Sequence, residues 1–155
     1  MLPASVREFL AVPRFCALAM TDERGRPFLA RCAGWSLGPP GGPDLTVTVR
    51  REFVPILPGQ GASDRVALLL SVADQFVAFQ VKGRGRARDA TPAEVQASKD
   101  MLASLGQTVE KSWGLSQSLY TSMIVAPAVS VDVMVEEAFA QSPGPGAGRR
   151  VEDAP

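Results

Sequence analysis

The sequence predicts an α+β fold, a small antiparallel β-barrel with flanking helices, and three observations carry that expectation. Apolar residues recur at every second position from Leu45 to Val49, from Val77 to Ala87 and from Val129 to Val135, the pattern of strands with one buried face. Turn signals separate the runs at short spacing, in "DERGR", "LGPPGGP" and "PGQGASD". Closely spaced strands joined by turns pair antiparallel, and in a chain of 155 residues a barrel removes the exposed edges.

Taken in order, the chain opens with a short helix over Ser5–Ala11, with Ser5 as N-cap and Val6, Phe9 and Leu10 on one face. Pro13 ends it. "RFCALAMT" reads as a largely buried strand and "PFLARCAGWS" as its return, around a turn where Gly25 supplies the positive φ. "DLTVTVR" is the next strand and "REFVPIL" a short helical turn made irregular by Pro55. "RVALLLSV" and "DQFVAFQVKGRGRARD" follow as a buried strand and a long one. "TPAE" announces a helix, with Thr91 as N-cap, Pro92 at the first position and Glu94 closing a capping box. Gly106 is expected to stop it, and "VEKSWGLSQSLYTSM" to form a second helix. "PAVSVDVMVEEAF" returns as a strand. Residues 1–141 form one domain on this reading, and 142–155, without apolar periodicity, a flexible C-terminal tail.

Composition bounds the function. With 46% hydrophobic and 21% charged residues the chain reads as a folded globular protein. Its 16 Lys plus Arg equal its 16 Asp plus Glu, which argues against a nucleic-acid partner. It has no histidine, so a Ser-His-Asp triad, a His-ligated haem or zinc and a histidine base are all excluded. Two cysteines are too few for a zinc cluster or a disulfide scaffold, and no metal site is expected. Arg7, Glu8 and Arg14 interrupt the first apolar stretch, so neither a signal peptide nor a membrane partner is expected, and the protein reads as cytoplasmic.

The chemistry must then come from a few polar sets. In "QVKGRGRARD", Gln80, Lys82, Arg84, Arg86 and Arg88 share one side of the long strand. Such alternation does not suit a disordered basic arm, and no helix follows at once to make a dinucleotide loop. Gln80 and Lys82 can meet an anion or a partner, whereas Arg86 and Arg88 read as facing water. In "TVTVRRE", Thr46, Thr48 and Arg50 lie on one side before the chain turns at Arg51. That set is either a phosphate site or a polar outer face. Cys16 and Cys32 face each other if the hairpin loop has three residues and miss by one if it has two; both read as small buried hydrophobes. Trp35, Trp113 and Tyr120 read as core or interface residues. Glu136 and Glu137, adjacent on a strand, are expected on opposite faces and so are not a paired acid and base.

The succession "LAMTDERGRP", "LTVTVRRE", "DRVALLL", "FQVKGRGRA" and "TPAEVQ" resembles the FMN-binding split-barrel family related to pyridoxamine 5′-phosphate oxidase, over about residues 5–105. The resemblance does not extend to the oxidase proper, whose lysine-bearing second strand is here "RCAGWS" and whose substrate histidine has no counterpart. It implies a small antiparallel split β-barrel, a homodimer and FMN at the interface. Arg31, Thr48, Arg50 and Arg51 would hold the flavin phosphate. Cys32, Ala33, Gly34 and Trp35 would lie along the ring through their backbone, and Gln80 and Lys82 would contribute at the dimer seam. The implied function is a flavin-binding redox protein, a small oxidoreductase or flavin reductase. The alternative is a cofactor-free dimeric binding or structural module. A third is deazaflavin or haem on the same scaffold, where haem would need a Cys, Tyr, Met or Lys ligand.

Overall fold

The computed structural model describes residues 1–22, 24–53, 64–72, 75–121 and 127–152. The elements are α1 (Ala4–Phe9), β1 (Phe15–Thr21), β2 (Pro27–Arg31), β3 (Gly34–Leu37), β4 (Leu45–Arg50), a 3₁₀ turn (Arg51–Phe53), β5 (Arg65–Val72), β6 (Val77–Asp89), α2 (Pro92–Trp113), α3 (Ser118–Thr121) and β7 (Ala128–Ala140). The strands form one antiparallel sheet in the order β2-β1-β5-β6-β7-β4-β3.

The sheet closes through two consecutive residues. The Cys32 amide donates to the Cys16 carbonyl at 2.9 Å, and the Ala33 amide to the Thr48 carbonyl at 2.7 Å. The returning strand expected as one piece is therefore two, with β2 on one end of the sheet and β3 on the other. This crossing turns an open sheet into a curled split barrel, the expected α+β architecture.

Alternation fills the barrel. Leu18, Leu45, Val47, Val49, Leu68, Leu70, Val81, Val129, Val131 and Val133 are fully buried, and α1 with its flanking residues adds Leu2, Val6 and Leu10 to the same core. Pro3, not Ser5, occupies the N-cap of α1, and no side chain caps that end. Burying Val6 and Leu10 fixes where this one-and-a-half-turn helix begins.

Helix α2 crosses β3 and β4 from outside. Its capping box forms as expected: Glu94 N donates to Thr91 Oγ1 at 3.2 Å and Thr91 N to Glu94 Oε2 at 2.8 Å. Gly106 does not end it. The helix runs on to Trp113, and Gly114 takes the left-handed cap at φ 68°. Gly106 is instead buried against Gln117 and Tyr120, where the returning chain leaves no room for a side chain. The expected second helix shrinks to the four residues of α3, because its first part belongs to α2.

Three further expectations change. Thr46 and Thr48 do not form a polar outer face, since both are buried, with Asp132 and Ser130 beside their hydroxyls. The period of β6 starts at Val77, with Phe76 in the preceding turn at φ 53°. In β7, Lys82 pairs with Glu137 but Gly83 pairs with Val135, so Glu136 is an extra residue in a β-bulge. The bulge turns Glu136 and Glu137 both outward, while Val135 and Ala138 stay buried. Residues 54–57 of the expected helical turn and 58–63 of the expected loop lie outside the described residues.

Past β7 the chain doubles back. Gly148 N donates to Ala140 O at 2.7 Å, Val151 N to Ala138 O at 2.8 Å, and Val151 packs on the core. Among the described residues, no helix is long and apolar enough to cross a membrane.

Candidate functional site

The pairing of β2, β1, β5, β6 and β7 lines up side chains on the outside of the barrel. One row runs Arg31–Ala17–Leu69–Gln80–Phe139 and the next Leu29–Ala19–Ala67–Lys82–Glu137. The centre of both rows is small and apolar. Leu29 is 73% exposed and Leu69 44%, which is high for leucines within strands. Two depressions open on this face. One of 570 Å³ is bordered by Leu69, Phe76, Ala78, Gln80 and Gln141. The other, of 330 Å³, is bordered by Met20, Arg65, Lys82, Glu136 and Glu137.

Cations stand at the two ends of the face. The Arg31 guanidinium lies over the rings of Phe15, at 5.3 Å, and Tyr120, at 5.1 Å. Among the described residues it has no carboxylate partner. The Lys82 ammonium lies 4.9 Å from the centre of the Phe139 ring, although Glu137 is its direct neighbour on β7. Gln80 accepts from Gln141 Nε2 at 3.4 Å.

The remaining predicted positions divide. Arg50 pairs with Glu52, and Arg51 with Asp89. The junction at Ala33 brings the end of β2, with Arg31, toward the end of β4 that carries Arg50 and leads into the turn with Arg51. Thr48 and Gly34 are opposite each other in register, but both lie under α2. The Thr48 hydroxyl is 3.4 Å from that of Ser130, and a side chain on Gly34 would meet the Ser98 backbone at 2.7 Å. The amides of Cys32 and Ala33 are engaged in closing the barrel. Trp35 packs on the core and donates its indole N–H to Arg14 O at 3.4 Å.

Two of the four cations of the basic run of β6 are neutralised among the described residues. Arg84 reaches Asp64 at 2.5 Å and Glu136 at 3.1 Å. Arg88, expected to face water, instead makes two bidentate pairs. It binds Asp132 on the neighbouring β7 at 2.9 and 3.0 Å, and Glu94 at 2.6 and 2.9 Å because α2 begins directly beside it. Arg86 is exposed and has no ion pair among the described residues. Sequence reasoning gave Phe15, Tyr120 and Phe139 no part in this face. Nothing local marks them, since their role is to lie beneath a cation brought from another strand.

No family model matches the chain, and a comparison with curated proteins finds no match. Solved structures do match. HupZ of Group A Streptococcus superposes with a TM-score of 0.50 at 14% identity, over 96% of this chain and 100% of that one. HutZ, the haem storage protein from Vibrio cholerae, gives 0.46 at 13%, over 88% and 92%. A candidate pyridoxamine 5′-phosphate oxidase from Lactobacillus delbrueckii gives 0.46 at 16%, over 90% and 93%. At such identities the likeness is one of fold: the chain has the split-barrel architecture with flanking helices.

Proposed function

We propose that the chain is a homodimeric flavin-binding redox protein, taking FMN at the cationic rim of its outer sheet face and acting as a small oxidoreductase or flavin reductase. Arg31 carries this reading. Its guanidinium is held in place by two rings and, among the described residues, is not neutralised by a carboxylate, which leaves its planar fork open to a phosphate. Arg50 and Arg51 stand at the neighbouring strand end in partly exposed ion pairs, which are weak enough for a phosphate to compete with Glu52 and Asp89.

The residues present fit the group in part. A cation beside an open apolar face suits a phosphate joined to a planar ring, whereas Thr48 and Gly34 beneath α2 fall outside the set. A bound flavin would supply the electron chemistry, and the protein its binding, orientation and electrostatics. Lys82, set over Phe139 at the far end of the face, would favour negative charge nearby. The apolar rows between the cations would be shared with a second copy.

The visible spectrum of the purified protein, before and after added FMN, tests the reading. Flavin bands are expected, with FMN binding weakened about tenfold or more in Arg31→Ala, the loss of one charge-assisted pair. Riboflavin, which has no phosphate, should bind the variant and the parent alike. A protein that neither contains nor binds FMN would leave the cofactor-free dimeric module, which the existing pairs of Arg50 and Arg51 favour. A response to haem alone would require a ligand other than histidine.

A further inference from the structure

Cys16 and Cys32 meet at the seam of the barrel. The hairpin between β1 and β2 has the three-residue form, with Asp22 N donating to Arg26 O and Gly25 N to Asp22 O, both at 2.8 Å. The pairing Ala17↔Arg31 therefore continues to Cys16 opposite Cys32, and the Cys32 amide donates to the Cys16 carbonyl. Both thiols are free, and both side chains turn inward, 5% and 7% exposed, within one core cluster. Directly opposed residues of an antiparallel pair are about 4.5–5.5 Å apart at Cα, within the roughly 4.4–6.8 Å that a disulfide bridges.

We infer that Cys16 and Cys32 are a modification site, a dithiol that closes to a disulfide under a peroxide and reopens under a thiol reductant. In the first step one thiolate attacks the peroxide, the O–O bond breaks, and a sulfenic acid and one water result. The second thiol then attacks that sulfur, expelling the oxygen as a second water and forming the S–S bond. Two S–H protons and two electrons pass to the peroxide in all. The bond would tie β1 to the residue at which the chain leaves β2 for β3, where the barrel closes. Burial, with the neighbouring Cys16 thiol, pushes the Cys32 thiol well above its ordinary range, so closure should speed up as pH rises. The inference is independent of any cofactor.

The test treats the wild-type protein with hydrogen peroxide at neutral and alkaline pH, then counts thiols after denaturation. Both thiols should be lost together, faster at alkaline pH, and return with dithiothreitol. A peptide map should join Cys16 to Cys32 within one chain, and the thermal midpoint should rise by about 5 °C. Cys16→Ser should abolish both the link and the rise. Thiols that persist in excess peroxide at alkaline pH, links only between chains, or oxidation beyond sulfenic acid without a link would each overturn it.

Discussion

Arg88 holds the first turn of α2 against the sheet. Its two bidentate pairs join Glu94 on the helix to Asp132 on β7, and those carboxylates gather Ser130 at 3.0 Å and Thr46 at 2.8 Å. The Arg88 guanidinium first, then the Thr91 and Ser130 donors, hold the Glu94 carboxyl down to about 2 from an ordinary 4.5. A carboxylate lowered on folding stabilises the fold above its unfolded pKa and loses that contribution as pH falls through the folded one. Stability should therefore decline between about pH 4.5 and 2. Glu94→Gln should cost roughly 1–2 kcal/mol at pH 7, after allowance for solvent screening, and flatten that decline. Thermal melts of both proteins from pH 6 to 2 check this, and parallel curves would show that Glu94 is not the group responsible. Arg86 and Arg88 look alike in sequence, two positions apart on one face. The landing of α2 and the reach of Arg88 to Asp132 on β7 separate them, and contacts made across the fold leave no mark on the local pattern.

The same limit applies to whole elements. Strands were legible wherever one face is buried by the barrel, since period two records that burial directly: Val129, Val131, Val133 and Val135 all face inward as read. It failed where a second layer arrives, as at Thr46 and Thr48, and where the chain breaks its own period. Glu136 is such a break. The bulge brings the Met134 carbonyl onto Gly83, where an added Cβ would meet the Met134 carbonyl carbon at 2.9 Å and its oxygen more closely still. Gly83→Ala should therefore cost roughly 2 kcal/mol by overpacking against backbone that cannot yield. Gly25→Ala, in the open hairpin turn at φ 73°, should cost only its backbone strain, about 1 kcal/mol. Urea unfolding of the two variants checks the order, and a Gly83→Ala midpoint equal to the parent's would mean the bulge can relax. Of the candidate site, the cationic positions were legible as residue types. The rings that seat Arg31 and Lys82 were not, because Phe15 and Phe139 are set by strand register and Tyr120 by the placement of α3.

At the scale of the molecule, and among the described residues, the barrel leaves the part of its β2-β1-β5-β6 face around Leu29 and Leu69 exposed while α2 protects β3 and β4. Leu29 and Leu69 stand exposed on that face among Ala17, Ala19 and Ala67, an apolar surface that an identical one can cover. A stable pair of this kind buries about 800 Å² on each partner. The expected species in solution is thus twice the 16.4 kDa chain. Leu69→Asp would place an unpaired carboxylate in the centre of the seam, worth several kcal/mol, and should weaken association by ~100-fold or more. The monomer should keep its fold, because Leu69 lies outside the core cluster. Light scattering across a dilution series reads the mass, and far-ultraviolet circular dichroism reads the fold. If FMN is held between two copies, added FMN must lower the dimer's dissociation constant by the same factor by which dimerisation tightens FMN. A wild-type monomer at tens of micromolar, with or without FMN, would remove both the seam and the shared site. A dimer indifferent to FMN would keep the seam and move the flavin elsewhere.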